Sequence, residues 1–360
     1  MTDSRPTSVL KHLTILLMIF LICTDIHAQK ETSEEDKGFK FIPMPYLSYS
    51  RNLKFEIGAL PMVMFPLSKK DTISPDSMAG AVLVYTTNGS FFSFAFSRLF
   101  LDRDRWRITL GLGTGNQNSQ TYIESLDIPP GFYDYASRFN IIHLGALRKI
   151  RGKIYGGLSF THSAGKTSFE DNIRAPTNNI NNGISLIINS DTRGNIYYPN
   201  QGHLLNVKWT TFPEWLANDS PANRINISFN RYLGLKKNND IIALRGTIQA
   251  GLGDIDFEQQ EVIGQKDIRG YSLGEYRGDG KLALQGEYRK NFKSRLGLVG
   301  FFGLATLYGS ETESQNWHLY PGVGTGIRYT AFKRNNMNIG LDAAIGDGDW
   351  GIYFRIGEAF

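Results

Sequence analysis

The sequence of 360 residues predicts an all-β fold, a single transmembrane antiparallel β-barrel of sixteen strands. Three observations support this prediction. Apolar and polar residues alternate with a period of two along much of the chain, and the connections between these stretches alternate between short and long. The longest apolar run is too short for a membrane-spanning helix.

That apolar run lies in the N-terminal 28 residues, which are predicted to be a signal peptide that is cleaved after Ala28. Arg5 and Lys11 lead into the run, residues 13–23, which is about half of the roughly 20 residues that a spanning helix needs. Lipid modification of Cys23 is the alternative, but a bulky isoleucine precedes it where a small residue is preferred. Residues 29–39 are then a short periplasmic lead, and residues 40–360 form the barrel.

The composition excludes several functions. The 39 basic and 34 acidic side chains give a net charge of +5 but are scattered singly, which argues against a nucleic-acid partner. Cys23 is the only cysteine, so the rest of the chain has no thiol for a disulfide, a thiolate zinc site or a nucleophile. No run of proline, serine or like charge divides the chain after the first forty residues, which favours a single domain.

The period of two is clearest in residues 105–113, where the large apolar side chains from Trp106 to Leu112 share one face and Arg, Thr and Gly share the other. The same alternation recurs in residues 224–230, 283–289 and 338–343. A soluble β-sandwich also alternates, but its turns come at a roughly even spacing of 8 to 12 residues.

The predicted connections differ from that even spacing. Short connections are predicted at residues 101–104, 149–152, 291–294 and 332–335, and long ones at 116–131, 167–181, 254–280 and 309–319. Short turns on one side and long loops on the other are typical of an outer-membrane barrel. Fifteen extended stretches follow residue 40, and the first, residues 40–65, is long enough to fold back on itself. We therefore predict sixteen strands, with fourteen as the alternative.

Several motifs after residue 183 resemble the superfamily of BamA and TamA, outer-membrane barrels often called bacterial surface antigens. The first is a loop motif in Ile268-Arg269-Gly270-Tyr271, followed by Glu287-Tyr288-Arg289 in the next strand. The second is a turn motif formed by Asp191, Arg193, Asn195, Pro199 and Gly202. Two positions depart from the family pattern, because Gly194 and Gly303 stand where acidic residues are usual.

The resemblance implies a loop that folds into the lumen after strand 11, held by a pair between Arg269 and Glu287. Alternation independently places Glu287 on the inward face. A solvated Arg269 is the alternative. Only about a dozen residues separate Gln29 from the first predicted strand, so we expect a minimal, barrel-only member without POTRA modules.

The C-terminal strand resembles the signal by which the barrel-assembly machinery folds outer-membrane barrels, and the expected signal residues are Phe354, Ile356 and Phe360. Their alternation, shared with Ile352, predicts that this face contacts outer-membrane lipid. Arg355 is then expected to face the lumen.

No catalytic or metal site is predicted. His162 and Ser163 are adjacent on a predicted strand and therefore face opposite ways, and the other histidines lack a serine or carboxylate partner at a persuasive spacing. We expect neither enzymatic activity nor a cofactor.

The resemblance therefore implies an outer-membrane barrel that assists insertion or translocation of an unidentified protein or lipid client through a lateral seam between the first and last strands. The alternative is a passive pore or a structural outer-membrane protein. Its lumen would be lined by Arg105, Arg107, Arg224, Glu287, Arg289, Arg328 and Asp342.

Overall fold

Sixteen antiparallel strands close into a barrel in which the first barrel strand pairs with the last. The computed structural model describes residues 39–124, 128–170, 173–235, 240–264, 267–292, 294–332 and 336–360. The predicted signal peptide and residues 29–38 of the predicted lead lie outside this part of the chain. The predicted fold class is confirmed, including the inward loop after the eleventh strand.

The strands follow the chain around the barrel, and each pairs with its sequence neighbours. The barrel strands are β1 (Lys40–Ser50), β2 (Lys54–Phe65), β3 (Ser77–Thr86), β4 (Phe91–Leu101), β5 (Trp106–Ile123), β6 (Gly131–Arg151), β7 (Ile154–Phe169), β8 (Thr177–Asp191), β9 (Gly202–Phe212), β10 (Ala222–Gly234), β11 (Ile241–Gly253), β14 (Gly280–Asn291), β15 (Leu296–Tyr308), β16 (Tyr320–Phe332), β17 (Met337–Ile345) and β18 (Trp350–Ile356). Two short strands in the loop after β11, β12 (Glu261–Val262) and β13 (Arg277–Gly278), form a ribbon of their own. No helix in the described part of the chain has the length and apolar character needed to cross a membrane.

Two of the predicted long loops are mainly strand. Strands β5 and β6 have 18 and 21 residues, and they pair from Trp106 to Ile123 without a break. Strands β7 and β8 extend the neighbouring hairpin in the same way. The prediction was wrong here because backbone pairing continues through polar residues such as Asn116 and Asn118. Residues 254–279 and 309–319 do form loops, each with a short 3₁₀ helix.

The alternation sorts the side chains of β5 as predicted. Leu110 and Leu112 are exposed on the outer face, whereas Arg107 points inward and forms ion pairs with Asp104 and Asp191 at 2.8 Å. Arg105 was expected to line the lumen, but it lies in the turn before β5, exposed and paired with a neighbouring aspartate.

The inner wall differs between the two halves of the barrel. On β4, Phe94 shares the inward face with Arg98, and its ring stacks on Phe139 of β6 with 5.9 Å between centroids. Glycine makes this packing possible, because a Cβ on Gly113 would lie 2.3 Å from the ring of Phe94. This half of the barrel therefore has aromatic as well as charged side chains on its inner face. A larger group of charged inward residues lies on β14, β16, β17 and β18, around the inward loop.

Candidate functional site

The loop of residues 254–279 leaves β11 and enters the lumen, with its tip at Arg269 and Gly270. The tip touches the barrel wall so closely that a Cβ on Gly270 would lie 2.5 Å from the carbonyl carbon of Ile345. The φ of Gly270 is +106°, in the region that favours glycine. Glycine is therefore required at this position on both counts, steric and conformational.

Arg269 is buried in the lumen and binds residues on two strands. Its Nη1 donates to Asp342 Oδ2 on β17 at 2.7 Å, and its Nη2 donates to Gln285 Oε1 on β14 at 2.6 Å and to Glu287 Oε1. Its guanidinium lies over the ring of Phe301, 3.3 Å from the centroid. The structure thus brings Arg269 and Glu287 together, as the pairing hypothesis requires, and adds partners on β17 and β15.

Three further arginines extend the ion pairs into a network. Arg289 donates through Nε and Nη2 to Glu287 Oε2 at 2.9 and 2.8 Å. Arg328 donates to Asp342 at 2.5 Å and to Glu358 at 3.1 Å, and Arg355 donates to Asp342 at 3.1 Å. The network holds four arginines and three carboxylates: Arg269, Arg289, Arg328, Arg355, Glu287, Asp342 and Glu358. It carries one excess positive charge and joins β14, β16, β17 and β18 through side chains.

Glycines on the barrel wall leave the space that the loop occupies. A Cβ on Gly303 would lie 2.7 Å from Ile268 Cδ1, and one on Gly322 would lie 2.3 Å from the Arg269 carbonyl oxygen. Gly303 is one of the two positions that depart from the family pattern, and here its small size admits the loop. Ile268 and Tyr271 then pack in a buried cluster with Ile263, Ala283, Ala305, Leu307 and Tyr320.

Asp267 anchors the loop on its other side. It accepts from Arg245 of β11 at 3.0 Å and lies 3.1 Å from Lys281 Nζ of β14. Burial alone would raise the pKa of Asp267, but the positive charges of Lys281 and Arg245 outweigh burial and hold that pKa below its usual value. The residue just before the loop tip is therefore tied to the barrel by a charged carboxylate.

The loop contacts both sides of the junction between β1 and β18. On one side, the Tyr353 hydroxyl of β18 accepts from Gly270 N at 3.0 Å, and Asp349 accepts from Ser272 N at 2.5 Å. On the other side, Asn52, in the turn after β1, donates to the Leu273 carbonyl at 3.2 Å. The loop tip thus bridges the first and last strands from inside.

The junction between β1 and β18, called the seam below, has only two residue pairs, Tyr49 with Ile352 and Ser50 with Gly351. A side-chain bond from Ser48 Oγ to the Ile352 carbonyl at 2.7 Å adds to them. The adjoining ladders are longer, with eleven pairs between β1 and β2 and seven between β17 and β18. Beyond Ile352, β18 pairs with β17 alone.

The prediction that Phe354 faces lipid is wrong, because its ring packs against a residue of β1 inside the barrel. Phe354 lies on the same face of the sheet as its partner Leu341, which is 41% exposed, but its ring meets that of Tyr46 on the inner face of β1, 6.1 Å away at 71°. Ile356 packs against the same side of β1, so the end of β18 lies inside β1. The predicted alternation of side chains along β18 is therefore correct. The end of β18 turns inside β1, however, and this buries the face that was expected to contact lipid.

Phe360 also departs from the predicted lipid contact. It is buried in a cluster with Ala359, Tyr232 of β10 and Ala243 of β11. Its backbone oxygen accepts from Arg289 at 3.0 Å. Arg355, in contrast, faces the lumen as expected.

The turn motif forms one structure between β8 and β9. Asp191 accepts from Arg193 Nε and Nη2 at 2.8 and 3.0 Å and from Arg107 at 2.8 Å. Asn195 Oδ1 accepts two backbone N–H groups of the following turn, the shorter at 2.8 Å from Tyr197. These side chains fix the start of the segment of residues 192–201, which crosses one open end of the barrel.

The end of that segment depends on its remaining motif residues. Pro199 is buried, and Gly202 has a φ of +89° with no room for a Cβ, which would lie 2.4 Å from the Thr192 carbonyl oxygen. In between, Tyr197 and Tyr198 donate to the Asp76 carbonyl and to Asn291 at 2.5 and 2.8 Å. The segment therefore spans this end of the barrel.

Sequence reasoning missed the partners of Arg269 other than Glu287. Asp342 was assigned to the lumen but not to the loop, and Tyr353 was not recognised as a loop contact. The inward parity of Asp342 was the available signal, although parity does not specify which side chain lies opposite. Within the described ranges, no group of three or more His, Cys, Asp or Glu side chains is arranged to hold a metal ion.

Known proteins share this fold. The chain is similar to the structures of BamA from Haemophilus ducreyi lacking POTRA domains 1–3 (11% identity, TM-score 0.56, 87% of this chain and 70% of that chain) and CdiB from Acinetobacter baumannii (12%, 0.57, 89% and 65%). It is also similar to CdiB from Escherichia coli (10%, 0.61, 88% and 62%), so it spans less than two thirds of either CdiB chain. No curated protein sequence matches it significantly. The Omp85 superfamily domain matches residues 71–360, and the chain therefore belongs to the Omp85 superfamily.

Proposed function

We propose that this barrel, located in the outer membrane, helps a protein or lipid client to insert or cross through the seam, without catalysing a reaction. The observation that carries the proposal is the short pairing of β1 with β18, two residue pairs against seven and eleven in the adjoining ladders. Each lost ladder bond removes about 0.5 to 1.5 kcal/mol of net stabilisation. Opening the barrel at the seam therefore requires less free energy than opening either adjoining ladder.

An opened seam presents two strand edges. Unpaired N–H and C=O groups on an edge pair readily with another extended chain, which is how strand addition recognises peptides. The ion-pair network meanwhile links β14, β16, β17 and β18 through side chains that are at most 16% exposed. The network thus favours opening at the seam over opening within the C-terminal half of the barrel.

A disulfide lock tests the proposal. Tyr49→Cys with Ile352→Cys places two thiols at paired positions of an antiparallel ladder. The matched control is Ile327→Cys with Leu341→Cys, an outward pair in the ladder between β16 and β17. The only native cysteine is Cys23, so mature protein cleaved as predicted contains no competing thiol.

The readout is the folding of a urea-unfolded eight-stranded barrel protein into phospholipid vesicles that contain each variant. We expect the oxidised seam lock to slow folding to the rate in empty vesicles, reductant to restore it, and the control lock to have no effect. Equal rates with the seam locked and free would contradict the proposal. The passive-pore alternative predicts instead a steady conductance in planar bilayers that neither lock changes.

A further inference from the structure

We propose that the cavity beside the seam binds an anionic amphiphile, an alkyl chain that ends in a carboxylate or phosphate. The cavity has a volume of about 620 Å³ and lies between the inner faces of β1, β4 and β18 and the segment of residues 192–201. This volume is within the roughly 300 to 1,000 Å³ of small-molecule sites. The inference does not depend on client insertion.

The apolar wall of the cavity belongs to a methionine cluster. All five methionines of residues 39–360 lie in this cluster. With them are apolar residues of β1, β2, β4, β17 and β18 and of the segment after β8, and the members are Met44, Met62, Met64, Met78, Met337, Ile42, Leu60, Phe96, Tyr197, Ile339, Phe354 and Ile356. Five of its members face the cavity: Met78, Tyr197, Met337, Phe354 and Ile356. Methionine is flexible and polarisable, so such a wall adapts to an alkyl chain.

The anion-binding end of the cavity is Arg98. It is exposed to the cavity, stands opposite Met78 in the ladder between β3 and β4, and makes no hydrogen bond or ion pair with any described residue. Two other arginines, Arg107 and Arg193, also act on it electrostatically, opposed by one carboxylate, Asp191, and by the hydroxyl group of Tyr197. The local field therefore favours an anion.

The other charged residues that line the cavity are already engaged. Arg193 is paired with Asp191, and Arg355 with Asp342. Glu358 pairs with Arg328, and Glu56 accepts from the hydroxyl of Tyr46. Arg98 is thus the lining cation left for a ligand, beside an apolar wall. A cation next to a flexible apolar surface matches an amphiphile better than a free inorganic anion or a neutral hydrocarbon.

The cavity also has an entrance from the side. Tyr353 to Ile356 of β18 line it and have no backbone pairing with β1, and Tyr46 and Ser48 of β1 line it opposite them. An alkyl chain can therefore enter between the first and last strands without breaking a ladder. The anionic end then reaches Arg98 on β4.

Photolabelling tests the site with defined probes. The purified barrel, in phosphatidylcholine nanodiscs, is exposed to a diazirine-bearing long-chain fatty acid, to the alcohol of the same length and to a diazirine-bearing phosphatidic acid. We expect the acids to label peptides of the inner wall, residues 40–64 and 77–101. Labelling by the phosphatidic acid alone would identify a membrane lipid as the source, and labelling by the fatty acid would identify a free acid.

Variants distinguish binding in the cavity from contact with the lipid that surrounds the barrel. Arg98→Gln should lower labelling by the acids about tenfold, the factor expected for one lost charge-assisted hydrogen bond, whereas Arg98→Lys should retain most of it. Arg105→Gln, which changes an exposed arginine in a turn, should have no effect. Heat-modified mobility confirms that each variant is folded. The inference is overturned if acid and alcohol label the inner wall equally, or if Arg98→Gln labels like the wild type.

Discussion

Arg269 and Asp342 are 73 residues apart in the chain, yet Arg269 Nη1 donates to Asp342 Oδ2 at 2.7 Å. This contact joins the tip of the inward loop to β17, whose neighbour β18 forms one side of the seam. The side chains of both residues are fully buried. The loop therefore does more than fill the lumen, because it connects the network of arginines and carboxylates to the strand beside the seam.

The charge count of that network predicts unequal effects on stability. Glu287→Gln leaves four arginines facing two carboxylates, and breaking a buried pair in this way should cost about 3 to 5 kcal/mol. Arg269→Ala leaves three arginines with three carboxylates and should cost less, about 1.5 to 3 kcal/mol for lost charge-assisted bonds. The double variant should lose less than the sum, because contacting residues are not additive.

The thermal shift in heat-modified mobility measures these effects. Arg105→Ala is the control, since its exposed pair with Asp102 contributes about 0 to 1 kcal/mol. Strictly additive losses from Arg269→Ala and Glu287→Gln would show that the two side chains do not interact.

Gly270→Ala should undock the loop tip, because its Cβ would lie 2.5 Å from the carbonyl carbon of Ile345. Gly348→Ala is the matched control, with a φ of +68° and no atom within 4 Å of its Cβ. The control should lose only the roughly 1 to 2 kcal/mol of a left-handed residue. Limited proteolysis of the loop measures the difference, and equal cleavage of the two variants would mean that the tip is not tightly docked.

Phe354→Ala should loosen the seam, since Phe354 packs on Tyr46 of β1. The expected loss is about 1 to 3 kcal/mol, below the 3 to 5 kcal/mol of a fully buried phenylalanine because Phe354 is only half-buried. Phe302→Ala, at an outward position that is 56% exposed, serves as the comparison. Melting of both variants in detergent decides whether Phe354 packs inside the barrel, because an equal loss would place it on the lipid face after all.

Glu275 predicts a pH dependence of loop docking. Burial, and then the charge of Asp349, raise the pKa of Glu275 to about 7, while Arg51 acts in the opposite direction. The pKa of Glu275 in the folded state lies above the ordinary value of 4.5. The folded state is therefore most stable below pH 4.5, and it loses stability as the pH rises towards about 7. The loss is at most about 3 kcal/mol.

Melting from pH 5 to pH 8 tests this prediction. The wild type should become less stable as the pH rises, and Glu275→Gln should flatten that part of the profile. A variant profile that still falls by the same amount would assign the pH dependence to another group.

Cysteine labelling tests the orientation of the barrel. Ser314 lies at the end of the barrel opposite Phe39 and Phe360, with Asn118, Thr177 and Asp279, whereas Arg103 and Arg151 lie at the same end as Phe39 and Phe360. Lys293, also predicted for that end, lies outside the described residues. We expect an impermeant maleimide to label Ser314→Cys on intact cells and Arg103→Cys only after the outer membrane is permeabilised. Labelling of Arg103→Cys on intact cells would reverse the orientation.

The fold was predictable because it depends on a local pattern, and the inward loop because its motif resembles that of a known family. Backbone geometry imposes a period of two on any strand, so Leu110 and Leu112 were placed together, opposite Arg107, without reference to the rest of the chain. Glu287 was assigned to the inward face by the same rule. Gly270 of the motif has a φ of +106°, which few residues other than glycine adopt.

The tertiary structure alone decided what covers each face. Alternation identifies the inward side of a strand only where one side is clearly polar. The apolar Phe94 on β4 faces inward, whereas the apolar Leu112 on β5 faces outward. The course of β18 inside β1 buries Phe354, and a site 73 residues away supplies Asp342 to Arg269. These outcomes depend on which strands meet when the barrel closes, and that is a long-range packing property with no local signal in the sequence.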